Sequence, residues 1–363
     1  MAEFEEALSL LRQGKQEDAL HLFEQGSKQD FRCSYHLANL YFTGAIGKKD
    51  VDQATKYFDL AFEQASQAEG DVAEYVLGTF YLFGLGTVTA DKEKGIEYLK
   101  ASAEKKNIDA CILLSNCYRS GNGVEADPKK SYELIAPIKD SGHPAAYRIY
   151  ADCLFFGSGV EKDVKTAIAY YKKASDRNDA RSMFQLGTCY YEANGVEKDD
   201  KIAYDYFLSS AKLGFPDAMK NLAYFYANGI GVEKSQEEEV NWLMKYSATG
   251  RPDGMYTVAR MFLEKSNKLY RYADAVTLLK RAVDMNYAPA SHFLGRLYET
   301  GNYGLLPNMN IAFNLYAKSY KDGFKEAARD LLRFYREGKY VKPNPNMMAE
   351  LEKVIQELDA HKA

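Results

Sequence analysis

Residues 180–214 read ARSMFQLGTCYYEANGVEKDDKIAYDYFLSSAKLG, and their pattern returns along most of the chain at a spacing of about 36 residues. The most regular part of the pattern is Leu186-Gly187 followed by Tyr190. In the other copies, the position of Leu186 is held by Leu37, Leu77, Leu114, Tyr150, Leu222, Val258, Leu294 and Leu331. A period of this length indicates a repeat protein, in which each copy stacks on its neighbours and the array offers an extended binding surface.

Each copy is predicted to form two helices. Met183, Leu186, Gly187 and Tyr190 follow the i, i+3, i+4, i+7 spacing of an amphipathic helix. In the copies whose Leu position lies between residues 37 and 294, the residue equivalent to Gly187 is always small. This predicts that a facing helix approaches closely there. A Gly-rich turn follows, and the second helix begins after an N-cap residue. These N-caps are Asp91, Asp127, Asp163, Asp199 and Ser235. No β-strand alternation stands out.

Composition limits the class of protein. The chain has 363 residues, 46% of them hydrophobic and 27% charged, as is ordinary for a globular protein. Its net charge of −4 gives no general attraction to nucleic acid. The first residues are acidic, unlike a secretory signal, and no apolar run is long enough to span a bilayer. We therefore expect a cytoplasmic protein without membrane contact.

The five cysteines are expected to be free thiols, because an odd count without a secretion signal argues against a disulfide framework. Cys117, Cys153 and Cys189 occupy one repeat position. That position is apolar in other copies, so these side chains are predicted to lie in the core. The alternative is a ladder of metal or redox ligands, but stacked helices about 8–10 Å apart would hold the thiols too far from one another.

These motifs resemble the Sel-one-like repeat (SLR) family, a branch of the tetratricopeptide-like superfamily. Residues 146–178 and 182–214 carry its Gly-x-Gly-Val turn and its Asp-initiated second helix most closely, and eight or nine copies lie between about residues 32 and 358. The resemblance implies an all-α fold, a right-handed α-α superhelix (solenoid) of about ten antiparallel helix pairs. We expect an N-terminal TPR-like helix pair at 1–31, tandem repeats at 32–338 and a capping helix at 339–363. Residues 251–286 depart from the pattern because they lack the glycine turn.

The resemblance also implies a non-catalytic adaptor that binds a protein or peptide partner in the concave groove, with no cofactor and no metal. Two alternatives remain open. One is a nucleic-acid-binding repeat protein that uses its arginines, although the negative net charge argues against it. The other is a cell-wall or β-lactam-related enzyme by family analogy. The missing signal and the absence of paired cysteines in each repeat argue against that.

Groove residues follow from the related tetratricopeptide geometry, in which the first helix of each repeat lines the concave face at fixed positions around the repeated Leu. The candidates are Tyr35, Asn39, Tyr75, Asn116, Arg119, Arg148, Phe184, Tyr191, Lys220, Tyr224, Tyr256, Arg260, His292, Arg296, Arg329 and Arg333. Arg260, Arg296 and Arg333 hold equivalent places, which suits an acidic partner. Alternatively, these arginines are solvated or paired with Glu299, Glu326 and Glu337, and many of the aromatics pack between repeats.

Overall fold

The computed structural model describes residues 2–45, 47–264, 271–338 and 340–360, and all regular secondary structure in these residues is helical. The chain divides into two compact units, an N-terminal unit of residues 1–182 and a C-terminal unit of residues 183–363. Within each unit, consecutive helices pack in pairs, the first helix of a pair carrying the repeated Leu. The expected all-α solenoid of about ten helix pairs is confirmed.

The first ten helices run to the end of the N-terminal unit: α1 Ala2–Arg12, α2 Gln16–Gly26, α3 Phe31–Thr43, α4 Val51–Ser66, α5 Asp71–Phe83, α6 Lys92–Glu104, α7 Ile108–Ser120, α8 Pro128–Ile135, α9 Pro144–Phe156 and α10 Val164–Ser175. A short 3-10 helix at Ala136–Ile138 follows α8, where Pro137 ends the regular helix.

The remaining helices are α11 Ala180–Glu192, α12 Asp200–Lys212, α13 Pro216–Asn228, α14 Gln236–Ala248, α15 Pro252–Leu263, α16 Tyr272–Asp284, α17 Ala288–Thr300, α18 Met309–Lys321, α19 Ala328–Glu337 and α20 Pro345–Ala360. A second 3-10 helix, Lys325–Ala327, precedes α19. No helix among the described residues has the length and apolar character needed to cross a bilayer.

The turns form as the sequence predicts. Gly121, Gly157 and Gly229 end first helices with φ of 73°, 68° and 71°, the left-handed conformation that glycine adopts without strain. At the start of α8, the Asp127 carboxylate accepts hydrogen bonds from two backbone N–H groups of the first helical turn. Asp163 caps α10 in the same way. The turns of the pairs α7–α8 and α9–α10 are therefore each closed by a glycine on one side and a capping side chain on the other.

The small position of each first helix allows close packing, as expected. A Cβ at Gly187 would lie 2.8 Å from the ring of Phe207, and a Cβ at Gly78 would lie 2.8 Å from Leu99. Both partners on the second helix are fully buried. A larger residue at either glycine would separate the two helices of its pair.

The cysteines at one repeat position lie in the core, as predicted. Cys117, Cys153 and Cys189 are 2%, 2% and 1% exposed. Burial raises the pKa of the Cys153 and Cys189 thiols to about 11, so both stay protonated near neutral pH. These side chains therefore behave as small apolar residues.

The departures from the pattern have local causes. Residues 251–286 lack the glycine turn, and α15 ends at Leu263 with Glu264 in an extended conformation instead of a left-handed glycine. Residues 265–270 of that turn lie outside the described residues. Within residues 339–363, the segment predicted to cap the repeats, the structure has the helix α20, whose Leu351 is completely buried.

The second glycine of the turn contacts the preceding repeat, and this contact yields a test. A Cβ at Gly159 (φ 76°) would overlap the backbone carbonyl of Pro128, whereas a Cβ at Gly142 (φ 85°) would meet nothing within 4 Å. Gly159→Ala should lower the free energy of unfolding by about 3 kcal/mol, because it adds a backbone clash to the strain of a left-handed alanine. Gly142→Ala, the matched control, should cost only about 1 kcal/mol. Urea unfolding followed by circular dichroism measures both, and equal losses would contradict the contact.

Candidate functional site

The aromatic groove candidates of the N-terminal unit are half-buried between repeats. The ring centre of Tyr35 on α3 lies 6.1 Å from that of Phe58 and 5.9 Å from that of Phe80 on α5. Burial raises the pKa of the Tyr35 phenol and raises that of Tyr75 still further. The side chain of Asn39 donates to the backbone carbonyl of Tyr35, 2.8 Å away. These residues therefore offer edges rather than whole side chains to a ligand.

The polar candidates of the N-terminal unit meet at one buried carboxylate, Asp152 of α9. Arg119 of α7 contacts it at 3.1 Å, and Arg148 lies 3.6 Å from it along α9. The hydroxyl of Tyr171 on α10 donates to its other oxygen at 2.8 Å. Arg119 also donates to Asn116, at 2.8 Å. The Asp152 side chain is only 6% exposed, so its charge is balanced within the fold.

This cluster joins three successive repeats. Arg148 also contacts Asp179 at 3.3 Å, and Asp179 caps α11 by accepting a hydrogen bond from the Ser182 N–H at 2.7 Å. The cluster, which we call the Asp152 cluster (Asn116, Arg119, Arg148, Asp152, Tyr171 and Asp179), therefore links α7, α9 and the start of α11. Its arginines are engaged with protein carboxylates.

The aromatic candidates of the C-terminal unit are likewise half-buried, with one exception. Phe184 lies 5.6 Å from Phe207 and 5.1 Å from Phe215 between ring centres. Tyr256 packs in the same way against the ring of Phe293, 6.0 Å away. Tyr224 of α13 is the exception, because 52% of it is exposed.

The neighbouring Tyr224 phenol raises the pKa of the Tyr191 phenol, together with burial and nearby charge. The Tyr191 ring also lies 5.2 Å from that of Phe225. Tyr191 thus packs against α13 next to the exposed Tyr224.

Most charged candidates of the C-terminal unit are paired within the chain. Lys220 contacts Asp253 at 3.0 Å, and both partners are partly exposed. His292 Nε2 lies 2.8 Å from Asp330. Arg329 contacts Asp359 of α20 at 2.5 Å. The interactions cross from one repeat to the next, or from the last first helix to α20.

Arg333 is held by three carboxylates. Its guanidinium lies 2.8 Å from Glu299, 3.4 Å from Asp330 and 3.7 Å from Glu337. Tyr316 donates its hydroxyl to the same Glu299 at 2.7 Å. Two of the carboxylates, Glu299 and Glu337, are those that the sequence analysis names as alternative partners of the arginines.

Arg260 and Arg296 differ from Arg333 although they hold equivalent positions on α15 and α17. Both are exposed, and within the described part of the chain neither has a carboxylate within ion-pair distance. The Arg260 guanidinium lies 5.7 Å from the centre of the Tyr256 ring. A cavity of about 490 Å³ lies beside it, with Thr257, Leu263 and Phe293 in its walls.

The sequence model of the Sel1 repeat family matches seven segments of this chain. They are residues 32–66, 71–107, 108–142, 144–179, 180–215, 216–242 and 288–324. The chain belongs to the Sel1 repeat family. The unmatched residues 243–287 include the repeat without a glycine turn. Sel1 repeat proteins generally mediate protein–protein interactions and are typically non-catalytic scaffolds.

Two solved structures support the fold of this Sel1 repeat protein. A protective antigen with an SLR fold from uropathogenic Escherichia coli is 24% identical, with a TM-score of 0.57, covering 92% of this chain and 78% of its own. A Sel1 repeat protein from Oxalobacter formigenes is 22% identical, with a TM-score of 0.60, covering 86% of this chain and 89% of its own. No curated protein sequence matches the chain significantly.

The acidic partners that cross the repeat boundaries of this Sel1 repeat protein could not be predicted from the repeat pattern. Arg148–Asp179, Lys220–Asp253 and His292–Asp330 join residues separated by 31, 33 and 38 positions. In each pair, the basic residue stands two before the repeated Leu position, and the acid lies near the start of the next first helix. An acidic residue near the start of the next first helix is the sequence feature that would have predicted these three pairs.

The Asp152 cluster makes a prediction about stability. Asp152→Asn keeps the size of the side chain but leaves Arg119 and Arg148 facing each other with less negative charge. The free energy of unfolding should fall by about 3 kcal/mol, because one member of a largely buried ion pair is removed. Asp140→Asn is the control in the same unit, since Asp140 is 57% exposed in its pair with Lys173, and it should cost less than about 1 kcal/mol. If urea titrations show the same loss of unfolding free energy for both variants, the Asp152 cluster stabilises the fold no more than an exposed ion pair does, and the prediction is wrong.

The free energy of unfolding at acidic pH is predicted to depend on Asp330. Burial alone would raise the pKa of this carboxyl, but hydrogen bonds and positive charge from His292 and Arg333 outweigh it and hold the pKa below 3.8. A lowered pKa in the folded state stabilises the protein above the unfolded value, and that stability is lost as the pH falls through the folded value. The difference in unfolding free energy between the wild type and Asp330→Asn should therefore shrink from about pH 5 to about pH 2. A constant difference, measured by urea unfolding across this range, would contradict the assignment.

Proposed function

We propose that this chain is a non-catalytic scaffold whose C-terminal unit binds an acidic segment of a protein partner along the first helices α13, α15 and α17. The observation that carries the proposal is the exposure of Arg260 and Arg296 without a carboxylate partner in the described residues. We call the row of Tyr224, Arg260 and Arg296 the arginine row. Its members stand at one repeat position on three consecutive first helices.

The chemistry of the guanidinium group supports an acidic partner. Arginine presents a planar set of donors that matches a carboxylate in two parallel hydrogen bonds, and it is less strongly hydrated than lysine. Elsewhere in this chain the same position is satisfied internally, as the three carboxylates around Arg333 illustrate. Arg260 and Arg296 retain their full donor capacity for a ligand.

The surroundings of the arginine row suit a peptide. Tyr224 adds an exposed aromatic side chain, and tyrosine and arginine are the residues that interfaces favour. The cavity beside Arg260 is lined by Leu263 and Phe293, and also by Glu264, so it offers apolar surface and one acidic residue next to the bound carboxylate. An acidic residue followed or preceded by an apolar one is therefore the expected core of the partner segment.

The other groove candidates are proposed to have supporting roles. Tyr35, Tyr75, Phe184 and Tyr256 shape the first-helix surface while packing between repeats. The Asp152 cluster braces the N-terminal unit, because its arginines are already engaged. Arg329 and Arg333 secure α19 against its neighbours.

A reducing, cytoplasmic compartment suits this function. All five cysteines are free, and all are buried. Unpaired thiols are usual in cytosolic proteins and uncommon in secreted ones.

The proposal is tested with peptides displayed on yeast. A random peptide library is selected against the full chain, and the enriched peptides are titrated against Arg260→Glu/Arg296→Glu. We expect peptides rich in Asp and Glu that lose at least tenfold in affinity, because two attractive contacts become repulsive. Affinity should also fall as salt is raised from about 50 to about 500 mM, since exposed charges are screened.

A matched control separates a local effect from a change in net charge. Lys280→Glu/Arg281→Glu makes the same charge change on the exposed face of the second helix α16. Its peptide affinity should stay within about twofold of the wild type, because only the general effect of net charge acts on binding. Enriched peptides without an acidic bias, or peptides that bind both double variants equally, would refute the arginine row as the binding surface.

A further inference from the structure

In the helix pairs from α3–α4 to α17–α18, the residue four after the N-cap of the second helix is small, with one exception. The small residues at this position are all buried, and they are Ala54, Gly95, Ser131, Ala167, Ala203, Ala275 and Ala312. In α14, whose N-cap is Ser235, the same position holds Glu239, which is half-buried. A glutamate therefore stands where the close packing of two helices otherwise admits only a small side chain.

This position faces the backbone of the first helix. At Gly95 of α6, an added Cβ would lie 2.7 Å from the backbone nitrogen of Leu82 and 3.0 Å from the carbonyl oxygen of Gly78. Leu82 stands five after the repeated Leu, and α13 has Ala227 at that place. The other first helices from α3 to α19 have a larger residue there, namely Phe42, Leu82, Arg119, Phe155, Tyr191, Leu263, Glu299 and Arg336. The small Ala227 leaves room for the Glu239 side chain beside the end of α13.

The Glu239 carboxylate has no ion-pair partner in the described part of the chain. It accepts no hydrogen bond and forms no salt bridge there. Burial raises the pKa of the Glu239 carboxyl, although the positive charge of Lys234 in the preceding turn acts in the opposite direction. A carboxylate that is partly removed from water and lacks a salt bridge gains from pairing with a cation of a bound partner.

The place beside Ala227 adjoins the surface that carries the arginine row. Tyr191 holds the equivalent place on α11 and is one of the groove candidates. Tyr224, the first member of the arginine row, stands three residues before Ala227 and therefore on the same side of α13. Glu239 thus adds a negative charge at the α13 end of the row, whereas the two arginines add positive charges on the next two first helices.

We infer that Glu239 pairs with a basic side chain of the partner, so that the bound segment carries one basic residue over α13 and acidic residues over α15 and α17. This pairing rests on the proposed binding along the arginine row and specifies the segment that the row accepts. Packed helices lie about 8–10 Å apart, and an extended chain spans about 3.3 Å per residue. The basic residue should therefore stand about three positions from one acidic residue and about six from the next.

A double-mutant cycle on the full chain tests this pairing. Peptides enriched from the displayed library should carry Lys or Arg about three residues from an acidic residue. One such peptide and its analogue with norleucine in place of the basic residue are titrated against the wild type and Glu239→Gln. The substitution should weaken binding of the basic peptide about fivefold, as expected for one partly exposed ion pair, and that of the analogue less than about twofold. Equal losses for the two peptides would refute the pairing.

Two further variants separate binding from folding. Glu237→Gln removes the same charge from an exposed residue in the first turn of α14, and its affinity should stay within about twofold of the wild type. Glu239→Ala restores the small residue of the other repeats, so it should raise the urea midpoint of unfolding while it weakens binding of the basic peptide. A purely structural role of Glu239 would change the midpoint but would not distinguish the basic peptide from its norleucine analogue.

The outcomes also separate this pairing from the arginine row. Peptides that need Arg260 and Arg296 but bind Glu239→Gln as tightly as the wild type would overturn the pairing and leave the proposed function standing. Acidic peptides enriched without any basic residue would have the same consequence. A selection that yields no acidic peptides would overturn both, because the pairing depends on the arginine row.

Discussion

Close contact between the two helices of each pair is the constraint on which the rest of this structure depends. Where Gly78 and Gly187 stand on the first helix, the facing Leu99 and Phe207 side chains lie against the backbone and are completely buried. This contact sets the distance between first and second helices. The positions of the turns and the exposed face of the first helices follow from it, because each is attached to one of the two helices.

Charge is distributed differently at equivalent positions of successive first helices. In the N-terminal unit, Asp152 is buried between two arginines and a tyrosine hydroxyl. In the C-terminal unit, the same repeat position carries Arg260 and Arg296, which remain exposed. One repeat position therefore joins side chains of neighbouring repeats at Asp152 and Arg333 and is open to solvent at Arg260 and Arg296. A scaffold built from repeats can vary such positions one at a time, since each repeat contacts mainly its neighbours.

The local features of the fold could be predicted from the sequence. Asp127, Asp163 and Gly121 act within their own helix ends, so their residue type and spacing were sufficient. The partners of charged side chains could not be predicted in this way. Whether Arg333 meets Glu299, or Arg260 meets no carboxylate, depends on side chains that face each other across a repeat boundary. The alternative that aromatic candidates pack between repeats describes Tyr35 and Phe184, whose rings contact neighbouring helices.

The buried thiols on successive first helices provide a way to measure the local opening of individual repeats. Cys117, Cys153 and Cys189 are shielded from solvent, and the pKa of the last two is about 11, so alkylating reagents cannot reach a reactive thiolate while the helices stay packed. Each thiol becomes modifiable only when its own repeat opens. The rate at which each one is labelled would therefore report the local opening free energy of that repeat, without any engineered reporter.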